Sequence, residues 1–240
     1  MLENKKVIIF DMDGTLIDSI GIWNEVDKEL IKQIGDGTID EMNIQQQRDR
    51  ELRNCSKQED IYLGYCEFLR KKYNSKMTKE QIKEKRYEIA QDYLKNKIDY
   101  KPKAEEVIQY LKKQGYILAI ATTTTRSTIT IYQTQNKNIK NKANLQDFFS
   151  IILTKDEVRE KKPNPEVHEK IRKQLKVKVE ECLVVEDSLI GIEAAKNAGI
   201  EVVAMYDKYS EQDRKSIEEM ADYQFENFEE MLTRIKAEKK

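Results

Sequence analysis

At 240 residues the chain can bury a full hydrophobic core, as one domain carrying a large insertion or as two modest domains. Charged residues make up 36% of it, yet 43 Lys and Arg against 44 Asp and Glu leave a formal net charge of -1, which gives no general electrostatic basis for binding nucleic acid or acidic lipid. No run of about 18 apolar residues is present to span a membrane as a helix, and Met1 to Lys6 leads directly into a strand with no room for a signal peptide. Cys55, Cys66 and Cys182 lie far apart in no metal-ligand spacing and read as reduced thiols of a cytoplasmic protein, Cys182 in a buried strand.

The first element is Val7-Ile8-Ile9-Phe10, an apolar, β-branched run that reads as a strand buried on both faces of a parallel sheet. It runs into Asp11 and Asp13, and Gly14 then allows a sharp turn. Asp-x-Asp-Gly is also an ordinary polar turn. A calcium loop is excluded, because Thr15, Ile17 and Ser19 occupy its alternate ligand positions and Ile22 its closing one.

After Ser19 the period changes to helical. Ile22, Trp23, Val26, Leu30, Ile31 and Ile34 share a face that ends at Gly35. A polar, weakly helical stretch runs from about Ile39 to Arg53. Capping-box spacings at Ser56–Glu59 and Thr78–Gln81 precede further helices. No strand-like run occurs between about residues 20 and 98, which predicts a helical insertion of about four helices within a core formed by 1–19 and 99–240.

From Lys101 helix and strand alternate. A helix over Val107, Ile108 and Leu111 precedes a strand at Tyr116–Ala121, which opens into Thr122-Thr123-Thr124-Thr125. A helix follows from about Arg126. The Asn- and Lys-rich stretch Asn136–Asn144 carries no core signal and reads as a solvated loop. Strands at Phe149–Leu153 and Cys182–Val185 flank Lys161-Lys162-Pro163-Asn164-Pro165 and a helix, and the second strand ends in Glu186-Asp187. Ser188 can cap the next helix, and a strand at Glu201–Met205 leads to a helix, short strand and helix. Alternation of this kind predicts right-handed crossovers and a parallel sheet with helices on both faces.

In such a sheet the strand ends point one way, so acid pairs, hydroxyls and a loop lysine converge. Clustered carboxylates suit Mg²⁺, a lysine and hydroxyls suit a phosphoryl group, and a carboxylate beside the metal can attack phosphorus. His168, the single histidine, falls within a helix where a packing or surface role is expected, so a serine-type triad lacks its usual base. No G-x-x-x-x-G-K-[ST] loop supports a nucleotide-dependent kinase.

Four segments in order resemble the motifs of the haloacid dehalogenase-like phosphatases, in the group of phosphoglycolate phosphatase and β-phosphoglucomutase. They are Phe10–Leu16, Ala121–Thr124, Lys162–Glu166, and Val184–Ser188 with Gly191 to Ala195 and Ala198-Gly199. The resemblance implies a Rossmann-like parallel sheet core flanked by helices, with an inserted α-helical cap. It implies Asp11 as nucleophile, Asp13 as general acid/base, Thr122 as phosphoryl ligand with Thr123 and Thr124 beside it, and Lys162 as the stabilising lysine. Mg²⁺ would be held by Asp11, the Asp13 backbone carbonyl and Asp187, with Glu186 acting directly or through water. The run of threonines leaves the registry of the second motif open, and Lys161 competes with Lys162.

The implied activity is hydrolysis of a small phosphorylated metabolite through an aspartyl phosphate, with no nucleic-acid or membrane partner. A phosphomutase of the β-phosphoglucomutase type shares every motif. A haloacid dehalogenase does not need Asp13, and a phospho-accepting receiver module places its acceptor Asp later and lacks so large an insertion. Trp23, Arg48, Arg50 and Arg53 are candidate leaving-group contacts, each equally readable as core or surface. The sequence leaves the substrate and the oligomeric state open.

Overall fold

Four consecutive apolar residues form β1 (Val7–Phe10), and all four are fully buried. The computed structural model that shows this describes residues 1–35, 44–54 and 60–238. The chain divides into two compact units, Met1–Ser19 with Ile98–Lys240, and Ile20–Lys97. Cys55, the Ser56–Glu59 spacing and the side chain of Arg53 lie outside the described residues.

The described residues of the unit Ile20–Lys97 form α1 (Ile22–Ile34), α2 (Ile44–Asn54), α3 (Ile61–Lys72) and α4 (Lys79–Asn96). Thr78 starts α4 with a full capping box: its hydroxyl accepts the Gln81 amide (3.2 Å), and Gln81 Oε1 accepts the Thr78 amide (2.9 Å). Asp60 caps α3 by accepting the amides of Tyr62 and Leu63. The apolar faces of these helices meet in a core that includes Val26, Leu30, Ile31, Tyr65, Leu69, Ile82 and Ile89. Among the described residues of this unit, Asp27 is a fully buried acid. Asp27 accepts from Arg48 (2.9 Å) and from Arg86 (2.6 Å), so its burial is compensated by charge.

The remaining unit adds α5 (Ala104–Lys113), β2 (Ile117–Ala121), α6 (Arg126–Thr134), α7 (Lys137–Ala143), α8 (Leu145–Phe148), β3 (Phe149–Leu153), α9 (Glu166–Leu175), β4 (Cys182–Glu186), α10 (Leu189–Asn197), β5 (Glu201–Met205), α11 (Arg214–Met220), β6 (Tyr223–Phe225) and α12 (Phe228–Ala237). The strands form one parallel sheet in the order β3-β2-β1-β4-β5-β6. Val7 pairs with Ile117 on one side and Cys182 on the other, so β1 is a central strand. Because side chains alternate along a strand, Val7 and Ile9 enter a cluster with Val184, Val202, Val167 and Ile171, while Phe10 meets Phe149 edge-on (6.2 Å between centroids). Each such buried side chain contributes about 1.5–3 kcal/mol relative to exposure.

The strand order reverses direction at β1. Connections run outward to β2 and β3 on one side and to β4, β5 and β6 on the other, which opens a crevice at the carboxyl ends of β1 and β4.

The structure corrects one expectation. Asn136–Asn144 is not a solvated loop: it holds α7, and Asn136, Ile139 and Ala143 are all fully buried. Asn136 caps the helix by accepting the Ile139 amide (2.9 Å) and donates its side-chain amide to Ile98 O (3.0 Å). Tyr100 donates its hydroxyl to Ala143 O (2.5 Å). A seven-residue helix needs only two inward residues, Ile139 and Ala143, and a satisfied asparagine supplies the rest of its anchorage. So weak an apolar pattern is hidden by the surrounding lysines.

Candidate active site

Asp11 follows β1 directly, and its amide donates to Val185 O (2.9 Å), fixing it against the end of β4. Gly14 sits at φ 89°, a region that other residues rarely adopt, and lets the chain turn back after Asp13. The Leu16 and Ile17 amides both donate to Met12 O (3.0 Å each), closing this turn. At the end of β4, Glu186 and Asp187 are buried beside Asp11, and the three offer carboxylate oxygens that lie within 4.8 Å of one another.

Lys162 reaches this cluster from the loop before α9. Its Nζ donates to Asp11 Oδ1 (2.7 Å), Glu186 Oε1 (2.6 Å) and Ala121 O (2.9 Å), which uses all three ammonium protons. Lys161 is exposed. Burial pulls the Lys162 ammonium down, but the charges and hydrogen bonds of Asp11 and Glu186 outweigh it and hold it above the usual lysine range.

Glu186, the last residue of β4, folds over the start of α10. Its Oε2 accepts the amides of Asp187 (2.8 Å) and Ser188 (2.9 Å) and the Ser188 hydroxyl (3.0 Å), while Oε1 holds Lys162. Only glycine fits over this fold-back. A Cβ on Gly191 would lie 1.7 Å from Glu186 Oε1.

Asp187 Oδ1 accepts from Thr15 Oγ1 (2.6 Å), whereas Oδ2 is buried with no partner among the described residues. Burial, and then the charges of Glu186 and Asp11, push the Asp187 carboxyl well above the usual range. The Asp11 carboxyl is raised too, first by burial, against the opposing pull of Lys162. Three acids therefore face one ammonium, and Lys101, which draws weakly on Asp187, is itself paired with Asp207 (2.6 Å). An all-oxygen set with an orphaned buried oxygen and surplus negative charge fits Mg²⁺.

Asp13 is partly buried, and its carboxyl accepts from a hydroxyl. Ser19 Oγ donates to Oδ1 (2.6 Å). Burial raises its pKa, and the Ser19 hydroxyl and the Lys162 charge oppose the rise. Its side chain is thus not among the three clustered acids, which leaves its backbone carbonyl as the atom it can offer a metal.

Thr122, at the end of β2, is 3% exposed, and its hydroxyl oxygen accepts the Thr124 amide (3.1 Å), leaving its own O–H to donate. Thr123 is exposed. Of the insertion candidates, Arg48 is taken up by Asp27, Arg50 is exposed beside Glu51 (3.4 Å), and Trp23 lies over the Arg86 guanidinium (5.0 Å).

Reading the sequence singled out Asp11, Asp13, Thr122, Lys162, Glu186 and Asp187. It missed Thr15 and Ser19. Thr15 lies inside the first motif and Ser19 three residues beyond it, where hydroxyls near an acid pair are a usable signal.

Fold and site together define a parallel-sheet enzyme whose buried acids and lysine meet at the switch point of the sheet. The chain belongs to the haloacid dehalogenase-like hydrolase family, whose model matches residues 8–205. It is 26% identical over 196 residues to the phosphorylated carbohydrates phosphatase of Thermotoga maritima, 82% of each chain being covered. A further group of curated relatives matches over 100 residues, where the chain spans 43% of the relatives' length.

Among solved structures, a Thermotoga maritima protein classed as a β-phosphoglucomutase has 24% identity and a TM-score of 0.74, with 97% of this chain and 99% of that one covered. The hydrolase YfnB of Bacillus subtilis, solved bound to magnesium, has 17% identity and a TM-score of 0.72, with 97% and 99% covered. These two likenesses show the shared fold. Membership of a hydrolase family decides against the receiver-module alternative. Among the described residues, no helix is long and apolar enough to cross a membrane.

Proposed function

We propose that the protein is a Mg²⁺-dependent phosphomonoester hydrolase that acts on a small phosphorylated metabolite through an aspartyl phosphate on Asp11. The observation that carries this reading is the buried contact of Asp11 with Lys162 (2.7 Å) beside the unpartnered Oδ2 of Asp187. The phosphatase name of the Thermotoga maritima relative supports the substrate class, with phosphorylated carbohydrates as the first compounds to try.

Asp11, Asp187 and the Asp13 backbone carbonyl would hold the metal, with Glu186 beside them. Bound there, Mg²⁺ supplies positive charge that offsets the acids and the phosphoryl oxygens. A carboxylate oxygen of Asp11 attacks phosphorus, forming the P–O bond to Asp11 as the bond to the leaving oxygen breaks. Asp13, protonated at the start, gives its proton to that leaving oxygen. Thr122 donates its hydroxyl to the phosphoryl group, with Thr123 and Thr124 lining the same turn, and the Lys162 ammonium offsets charge on the phosphoaspartate. Asp13, now ionised, takes a proton from water, whose oxygen attacks phosphorus, frees inorganic phosphate and restores Asp11.

The unit Ile20–Lys97 acts as a cap that selects the leaving group. Its place in the chain supports this, since it is inserted directly after Ser19, the residue that holds Asp13. Cys66 and Cys182, both free and buried, accord with a cytoplasmic location.

The test is a panel of sugar phosphates and other phosphomonoesters assayed with Mg²⁺ for released phosphate and for isomerised product. Asp11→Asn keeps the shape of the residue and removes the nucleophile, and should abolish turnover and the phosphoenzyme mass. Substantial phosphate release by that variant would sink the assignment. Isomerisation outpacing phosphate release would establish a phosphomutase instead.

A further inference from the structure

The chain crosses between its two units twice, after Ser19 and before Ile98. Within the sheet-bearing unit the ends of the two crossings are paired with each other. Ile17 and Tyr100 form an isolated antiparallel bridge, at which the Asp18 amide donates to Asp99 O (3.2 Å) and the Lys101 amide to Leu16 O (2.8 Å). Two hydrogen bonds of this kind are a weak fixture, since an isolated two-stranded pairing is marginal in water.

The returning segment is held from its other side by α7. Ile98 O accepts from Asn136 Nδ2 and from Asn138 Nδ2 (3.0 Å each), which uses both lone pairs of the carbonyl. Lys142 Nζ donates to Asp99 Oδ2 (2.6 Å), and the Tyr100 hydroxyl donates to Ala143 O (2.5 Å). One short helix thus ties down three consecutive residues. Ile98 and Tyr100 are buried, where a lost hydrogen bond is costly to leave unmade.

The outgoing segment is part of the turn that carries the acids. Ile17 O accepts the Gly14 amide (3.0 Å), Thr15 Oγ1 donates to Asp187 Oδ1 (2.6 Å), and Ser19 Oγ donates to Asp13 Oδ1 (2.6 Å). Residues 11–21 belong to no helix or extended strand, so this turn has little regular structure of its own to hold it. Units joined by two crossings move relative to one another by default. An insertion that leaves directly after Ser19 would pass such motion to Asp13 unless the crossing is anchored.

We propose that α7 is a clamp for the catalytic turn: by fixing Ile98–Tyr100 it keeps the paired segment Leu16–Asp18 in register, and with it the Thr15 and Ser19 hydroxyls on their carboxylates. Asn138 and Tyr100 are then positioning residues, acting on the site through the Ile17–Tyr100 pairing. The consequence for turnover rests on the hydrolase reading given above; the consequence for the backbone does not.

The test is the double variant Tyr100→Phe with Asn138→Ala, examined by hydrogen exchange and by kinetics. It removes two of the bonds to Ile98–Tyr100, neither of which involves Leu16–Asp18, and leaves the Asn136 cap and the buried Ile139 and Ala143 of α7 in place. Exchange in the folded protein should become about 5-fold faster at both the Asp18 and the Lys101 amides, and stay near wild type in β1 and β4. For phosphate release kcat should fall by about 10-fold with KM near wild type, because small displacements of positioned groups are costly to rate.

Faster exchange at Lys101 alone, or at neither amide, would show that α7 does not reach the catalytic turn and would overturn the proposal. Faster exchange at both amides with an unchanged kcat would overturn it as well, since the pairing would then position nothing that matters to the chemistry. Should the double variant melt well below wild type, Asn138→Ala alone is read by the same criteria. If the wild type releases no phosphate from any ester of the panel, the hydrolase reading fails, and the exchange result alone decides the clamp.

Discussion

His168 lies on α9 with its imidazole fully buried, and neither ring nitrogen has a hydrogen-bond partner among the described residues. Burial, with the charge of Lys162 a smaller cause, pushes its pKa from 6.5 down to about 3. In the unfolded chain the imidazole takes up a proton as pH falls through 6.5, while in the fold it stays neutral until about 3. The folded pKa is depressed, so this contribution to stability is complete above 6.5 and is lost as pH falls toward 3. At about pH 5 the unfolded state has gained about 1.5 pH units of proton affinity, or roughly 2 kcal/mol against the fold. His168→Leu removes the titrating group, so the stability difference between wild type and variant should change by about 2 kcal/mol between about pH 7.5 and 5, measured by urea unfolding. Because His168 is the single histidine, its ring Hε1 gives one resonance, which should not titrate in the folded protein across that range. Parallel pH profiles for wild type and variant, or a resonance titrating near 6.5, would refute the argument from burial.

The other predictions concern the acid cluster and the insertion. Lys162→Ala removes a buried ammonium that meets two carboxylates and should lower kcat by on the order of 2–4 kcal/mol, whereas Lys161→Ala should stay near wild type; the reverse ranking would place the catalytic lysine at Lys161. Gly191→Ala forces a Cβ onto Glu186, so thermal unfolding should show a loss of about 1–3 kcal/mol together with reduced turnover, and an unchanged Tm and kcat would mean that the fold-back of Glu186 is dispensable. Trp23→Ala, in the insertion, should redistribute kcat/KM across the phosphate-ester panel; a uniform drop for every substrate would argue against a specificity role for the insertion.

Much of this architecture was legible because it is local. β1 and β4 are uninterrupted apolar runs that end in acids, and that pattern alone announces buried parallel strands with chemistry at their ends. The change from period two to a helical period after Ser19 announced the insertion, and the spacing of Thr78 and Gln81 announced the start of α4. Lys162 stood out by its neighbours, Pro163 and Pro165, rather than by its own chemistry. By contrast α7 was invisible, since Ile139 and Ala143 are too few to show a period among lysines and asparagines.

The sequence by itself determined which strands form, where the helical insertion falls, and which acids stand at the strand ends, since each is encoded by residues adjacent in the chain. Only the tertiary structure decided how those acids divide their work. Glu186 is committed to Lys162 and to the amides at the start of α10, Asp187 keeps one oxygen without a partner among the described residues, and Asp13 accepts from the Ser19 hydroxyl. It also buries Lys162 and leaves Lys161 in solvent. The physical reason is that the strength of a charged contact depends on separation and burial, and Lys162 reaches Asp11 across 151 positions of chain. Packing sets both quantities, and no local pattern of residues records them.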